Sequence, residues 1–199
     1  MKIRAGHVSN SSSSSFIIAT DKPLDSVEAI KEQVFHNAGS NTEGWVSGEY
    51  WDDPFRIEDL CEGFKQGICE EYETECWNEE KGEYEEKNYS INTIEDILNC
   101  EELMIEIGWR QIYSNQKLNQ DYYDNLPAWN NHEACEKYEI KWNQIALNLA
   151  KEYMEKQRPK FEGKHIVYAV FADEDGRLGC QLEHGSHWHN VANIRISHH

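Results

Sequence analysis

Three imidazoles crowd the segment Glu183-His184-Gly185-Ser186-His187-Trp188-His189. If the chain turns at Gly185, His184, His187 and His189 could converge on one ion, because neutral imidazole is the commonest metal ligand. Glu183 or His165 would complete or orient such a set. Zn²⁺ or Mn²⁺ is the ion this set would take, and nothing else in the chain calls for a cofactor. The spacing lacks the helical frame that makes His-Glu-x-x-His specific, so an exposed polar loop accounts for the same residues. Asp173-Glu174-Asp175-Gly176 is dense enough in carboxylates to hold Mg²⁺ or Ca²⁺. It does not follow the EF-hand pattern, and a plain turn explains it fully.

Hydroxyls form the other concentration of chemistry. Ser9-Asn10 leads into five serines, Ser11 to Ser15, and then directly into Phe16-Ile17-Ile18. A hydroxyl beside His7 could be a nucleophile with its base, but no strained Gly-x-Ser-x-Gly elbow singles one out. Backbone N–H groups and the side chains of Ser9, Asn10, Ser11, Ser12 and Ser13 could instead form an anion-binding nest or accept phosphate. Composition alone reads residues 1–15 as a flexible serine-rich leader.

These groups need elements to hold them. Ser15 to Thr20 is the first strand candidate. Pro23-Leu24-Asp25-Ser26 starts a helix with Val27, Ile30 and Val34 on one face, ending near Asn37-Ala38-Gly39. Asp52-Asp53-Pro54 offers a second helix start. The glutamate-rich run from Glu70 to Lys87 reads as a solvated face, a loop or an acidic contact surface. Ser90 to Leu98 suggests a short helix. Leu103, Ile105, Ile107 and Trp109 alternate as in a half-buried strand, although Glu101-Glu102-Leu103-Met104 could also continue the helix, and 113–129 looks irregular. Asn131 to about Gln157 is the longest helix, with Arg158-Pro159 as its stop. His165 to Ala172 is an apolar strand, Asp173 to Gly176 its turn, and Leu178 to Glu183 its returning hairpin partner. Val191 to Ile196 adds a last short strand. Pairing of the N-terminal strand with 165–172 would make an α+β fold, a small and mainly antiparallel sheet packed by two or three helices. The serine tract would then stand at a sheet edge near the histidine-rich C-terminus.

The formal charge of −18 is concentrated in one stretch: residues 43–106 hold 21 acids and 4 bases. Within a single domain of 1–199, this stretch reads as an acidic lobe studded with Trp45, Trp51, Tyr72, Trp77 and Tyr84. Phosphate backbones would be repelled by it, so direct nucleic-acid binding there is excluded, and a basic protein is its electrostatic complement. No run approaches the ~20 apolar residues of a membrane span. No secretory signal precedes the serines, so a cytoplasmic location is expected. Six cysteines without a Cys-x-x-Cys pair read as reduced, mostly buried thiols.

Lys2-Ile3-Arg4-Ala5-Gly6-His7-Val8-Ser9-Asn10, the serines and Phe16-Ile17 together resemble the opening of a group of bacteriophage and Firmicute proteins of unassigned activity. Members begin with a basic stretch, Gly-Phe-Val-Ser-Asn, a serine run and Phe-Ile or Phe-Val; His7 here stands in place of their Phe. Leu182-Glu183-His184-Gly185 and Ile194-Arg195-Ile196-Ser197-His198-His199 are similar to endings in the same group. The resemblance implies a shared address or docking tag. Two function classes follow. One is an acidic, non-enzymatic interaction protein of phage or prophage type that engages a basic surface on a host protein, in the host cytoplasm. The other is a metal-dependent enzyme built on His184, His187 and His189.

Overall fold

A segment entered from polyserine becomes a central strand because Phe16, Ile17 and Ile18 are β-formers with apolar surface to bury on both faces. The structure, a computed structural model, describes residues 3–4, 13–36, 45–46, 55–78, 81–172, 176–184 and 191–197. The chain divides into two compact units, one of residues 8–71, 90–94 and 160–199, the other of residues 1–7, 72–89 and 95–159. The acidic stretch 43–106 is shared between them.

The first unit is built on β2 (Ser13–Thr20), which lies between β8 (His165–Ala172) and β9 (Ala192–Ser197). Short β5 (Ile68–Cys69) completes the order β5-β8-β2-β9, with all neighbours antiparallel. The expected union of N-terminal and C-terminal strands is therefore present, and the fold is α+β. Ser13 stands opposite Ala172 and Thr20 opposite His165. Against this sheet pack α1 (Val27–Gln33), α2 (Ile57–Gly67) and α7 (Gly176–His184). Ser26 caps α1 by accepting a bond from Ala29 N at 3.1 Å. A two-stranded pair, β3 (Trp45–Val46) with β4 (Phe55–Arg56), precedes α2. The core is aromatic: the Phe16 and Phe64 rings lie 5.7 and 5.6 Å from that of Phe171, and Phe35 meets Phe64 edge-on. Ile30, Leu60 and Leu182 fill the remaining space.

Two expectations are corrected in this unit. Leu178 to Glu183 is not a hairpin partner of β8 but part of α7. Leu178 and Leu182, one turn apart, both enter the core, and β8 already has β2 and β5 as neighbours. Ser14 and Ser15, the part of the serine tract inside β2, do not stand at an edge either, since both β8 and β9 pair with them. The α2 helix begins at Ile57, later than Asp52-Asp53-Pro54 suggested. Residues 52–54, like the expected end of α1 at 37–39, lie outside the described residues.

The second unit joins a sheet to helices. Its sheet has the order β1-β6-β7, all antiparallel, from β1 (Ile3–Arg4), β6 (Tyr72–Asn78) and β7 (Glu83–Tyr89). Gly82 takes a φ of 70° in the β6–β7 turn and donates its N–H to Asn78 O at 2.8 Å, a backbone conformation that favours glycine. So the glutamate-rich run is a hairpin rather than a loop. Its buried residues Tyr72, Thr74 and Cys76 recur every second position, a strand signal diluted by the intervening acids.

Next come α3 (Ile94–Asn99), α4 (Glu101–Ser114), α5 (Gln116–Asp124) and α6 (His132–Phe161). The strand expected at 103–109 is helical. Residues from Glu102 to Gly108 are buried without a break, Glu102 and Glu106 included, so this helix is enclosed all round and its apolar residues satisfy period 2 and period 3.6 alike. The stretch taken as irregular contains α5, started by Asn115, whose Oδ1 accepts from Lys117 N and Leu118 N. The α6 helix continues two residues past Pro159, since a proline in the last turn removes a bond without ending the coil. Gly108 marks a close crossing: a Cβ there would sit 1.9 Å from the Ala146 carbonyl oxygen on α6. Around it, Trp109 donates Nε1–H to Asn143 Oδ1 at 2.9 Å, and Tyr122 packs among Trp109, Tyr138 and Trp142.

Candidate interaction surface

Strand periodicity divides the β6–β7 hairpin into two chemically different faces. The inner face carries Tyr72, Thr74 and Cys76 of β6, all buried, with Glu85, Lys87 and Tyr89 of β7, all half-buried. Two glutamates of α4 meet this face. Glu102 accepts hydrogen bonds from Lys87 Nζ at 3.0 Å and from Cys76 Sγ at 3.2 Å. Burial pushes the Glu102 carboxyl up. Bonds from its own backbone N–H, Lys87, Cys76 and Tyr89 outweigh that and hold it below the ordinary carboxylate range. Burial and the neighbouring Glu102 raise the Cys76 thiol to about 11, which leaves it protonated and unreactive. One turn further on, burial raises the Glu106 carboxyl to about 7, partly offset by the neighbouring Tyr72 hydroxyl. A charged Glu102 and a Glu106 poised near neutrality thus sit one turn apart under the sheet.

The outer face carries Glu73, Glu75 and Trp77 opposite Asn88, Glu86 and Tyr84. Glu75 is directly across from Glu86, an arrangement that repels. Among the described side chains neither has an ion-pair partner, and β1 sets Arg4 at the register position of Glu75. Next in line, Trp77 and Tyr84 meet edge to face with ring centroids 5.1 Å apart. Tyr84 is 38% exposed. Glu85 is held by Lys81, and by Asn78 Nδ2 at 2.8 Å, so the turn end of the hairpin is stiffened. A pair of opposed carboxylates beside a propped aromatic pair can receive a guanidinium or ammonium group, the charge from the acids and the flat surface from the rings.

The expected contact residues therefore separate. Trp77 and Tyr84 come together on the outer face, whereas Tyr72 is buried on the inner one, its ring 6.2 Å from that of Tyr89. Trp45 belongs to β3, and Trp51 lies outside the described residues. Glu75 and Glu86 escaped individual notice, although their opposition follows once the turn at Gly82 sets the register.

Of the serine tract, Ser9, Asn10, Ser11 and Ser12 lie outside the described residues and Ser13 opens β2. Ser14 and Ser15 are buried in the sheet unit. Ser14 Oγ donates to Glu183 Oε1 at 3.0 Å and accepts from Arg195 Nη2 and Nε at 2.9 and 3.2 Å. The Arg195 guanidinium also lies over the Phe16 ring, 5.6 Å from its centre, and 3.9 Å from Glu183. Tyr168 donates its O–H to Ser15 Oγ at 2.9 Å. One small hydroxyl thus joins β2, α7 and β9 by mediating a buried charge pair. No substrate can reach an oxygen so enclosed, so Ser14 has a structural role.

His184 is the last residue of α7, and His187 and His189 lie outside the described residues, as does 173–175 of the acidic turn. Among the described residues no group of three His, Cys, Asp or Glu side chains could hold a metal ion. No helix there is long and apolar enough to cross a membrane. All six cysteines are free thiols, with Cys61, Cys76 and Cys100 buried. No protein-family model, curated protein or solved structure matches the chain.

Proposed function

We propose that this chain is an acidic, non-enzymatic interaction protein of phage or prophage type, whose β6–β7 outer face engages a basic surface on a host protein. The observation that carries this reading is the Glu75–Glu86 opposition beside the Trp77–Tyr84 pair. Like charges directly across a ladder destabilise the free hairpin by a few tenths of a kcal/mol or more. A cation from a partner beside Glu86, on the side of the hairpin away from Arg4, weakens that repulsion. The aromatic pair adds a rigid, amphipathic anchor of the kind that dominates interfaces. The phage assignment rests on the N-terminal resemblance.

The test is capture from host lysate at low and at high salt, with the wild-type chain and a Glu75→Lys/Glu86→Lys variant as paired baits. A specific basic protein retained at low salt by the wild type, and lost with the variant, supports the reading. Equal capture by both baits, or capture indifferent to salt, overturns it.

A further inference from the structure

The β7 strand ends its sheet: among the described strands it is hydrogen-bonded to β6 on one side only. None of its seven residues is buried, in contrast to β9, the long edge strand of the other unit, where Ile194 and Ile196 are. From this open edge and the acids along it, we infer that β7 accepts an extended basic segment of a partner protein as a fourth strand. The inference rests on the reading of the hairpin as a surface for a basic partner, and specifies how that partner is held.

Seven extended residues span roughly 24 Å, and alternate residues of an edge strand present unpaired N–H and C=O groups. An added strand satisfies them, so affinity comes from main-chain bonds and selectivity from the side chains beside them. Charge selects the occupant. A second copy pairing through the whole of β7 would set Glu86 against Glu86, which like-charge repulsion disfavours, while the Lys87 that would face Glu85 is already engaged by Glu102. A Lys or Arg on an incoming strand would instead stand about 5 Å from Glu86, with Glu75 one strand further in. Tyr84 on the same face, braced by Trp77, gives the stem of that long side chain an apolar surface to lie on. On the inner side Lys87 is already engaged by Glu102, which leaves the acids to set the sign of the edge.

The probe is the end-blocked heptapeptide Lys-Thr-Lys-Val-Lys-Thr-Lys, titrated calorimetrically against the full chain at low salt. Two companions carry N-methyl groups on the odd or on the even backbone nitrogens. Strand addition predicts that one methylation phase weakens binding at least tenfold while the other is tolerated. It also predicts slowed hydrogen exchange at alternate amides of 83–89 in the bound state. Salt-sensitive binding that ignores both methylation phases, with no protection of β7, overturns the strand inference and leaves the basic-partner reading standing. No binding of the unmethylated peptide at low salt overturns both.

Discussion

Replacing Glu106 by Gln removes an ionisable group that the second unit keeps buried and near neutrality. At about 1.4 kcal/mol per tenfold change in proton affinity, a carboxyl held at about 7 rather than 4.5 makes its ionised form about 3 kcal/mol less favourable in the folded chain. The sign follows from proton counting. Between these two values the folded state binds the proton more tightly than the unfolded one, so stability falls as pH rises from about 4.5 to about 7 and levels off above. The Gln variant keeps the shape but has no proton to lose. We predict that wild type loses about 2 to 3 kcal/mol relative to Glu106→Gln between pH 5 and pH 8. Urea unfolding of both proteins at several pH values measures this, and groups common to the two cancel in the difference. Parallel stability–pH curves would refute the reasoning, since Glu106 would then be ionised in the fold at no cost.

Three further outcomes are expected. Gly108→Ala drives a methyl into the Ala146 carbonyl at the α4–α6 crossing. It should cost about 3 kcal/mol or more in a thermal melt, and unchanged stability would mean that the crossing is looser than described. Ser14→Ala withdraws the hydroxyl joining Glu183 to Arg195 and should cost about 1–3 kcal/mol in urea unfolding; a neutral effect would show the pair to be satisfied without it. Glu86→Gln should act with opposite signs, raising stability by about 0.5 kcal/mol while weakening capture of a basic partner. Loss of both stability and binding would assign Glu86 a structural role instead.

Elements whose pattern admitted one interpretation were legible in the chain. The run from Phe16 to Ile18 and the one from His165 to Ala172 are apolar and rich in strand formers, and they do pair. Ser26 starts α1, and the long stripe of α6 needed no context. Ambiguity arose where burial is complete or where charge hides the period. In α4 every position from Glu102 to Gly108 is enclosed, so the alternation of Leu103, Ile105, Ile107 and Trp109 competed with the one-turn spacing of Glu102 and Glu106. In β6 the glutamates at 73 and 75 are the exposed half of a strand whose other half is Tyr72, Thr74 and Cys76. In α7, the preceding Asp-Glu-Asp-Gly turn chemistry suggested a hairpin, and only the entry of Leu178 and Leu182 into the core selects the helix.

Local sequence was enough to define the charge and its concentration in 43–106, because charge needs only composition. It also located the serines and the strand they enter. Which hydroxyl meets which charge was out of its reach. Ser14 finds Glu183 and Arg195 from 169 and 181 residues away, and such contacts exist only once β2 is flanked by β9 and covered by α7. The outer face of the hairpin arose in the same way: a register put Glu75 against Glu86 and Trp77 against Tyr84, turning a run of acids into an oriented surface. Pairing across strands depends on turn geometry and sheet order, which are properties of the folded whole.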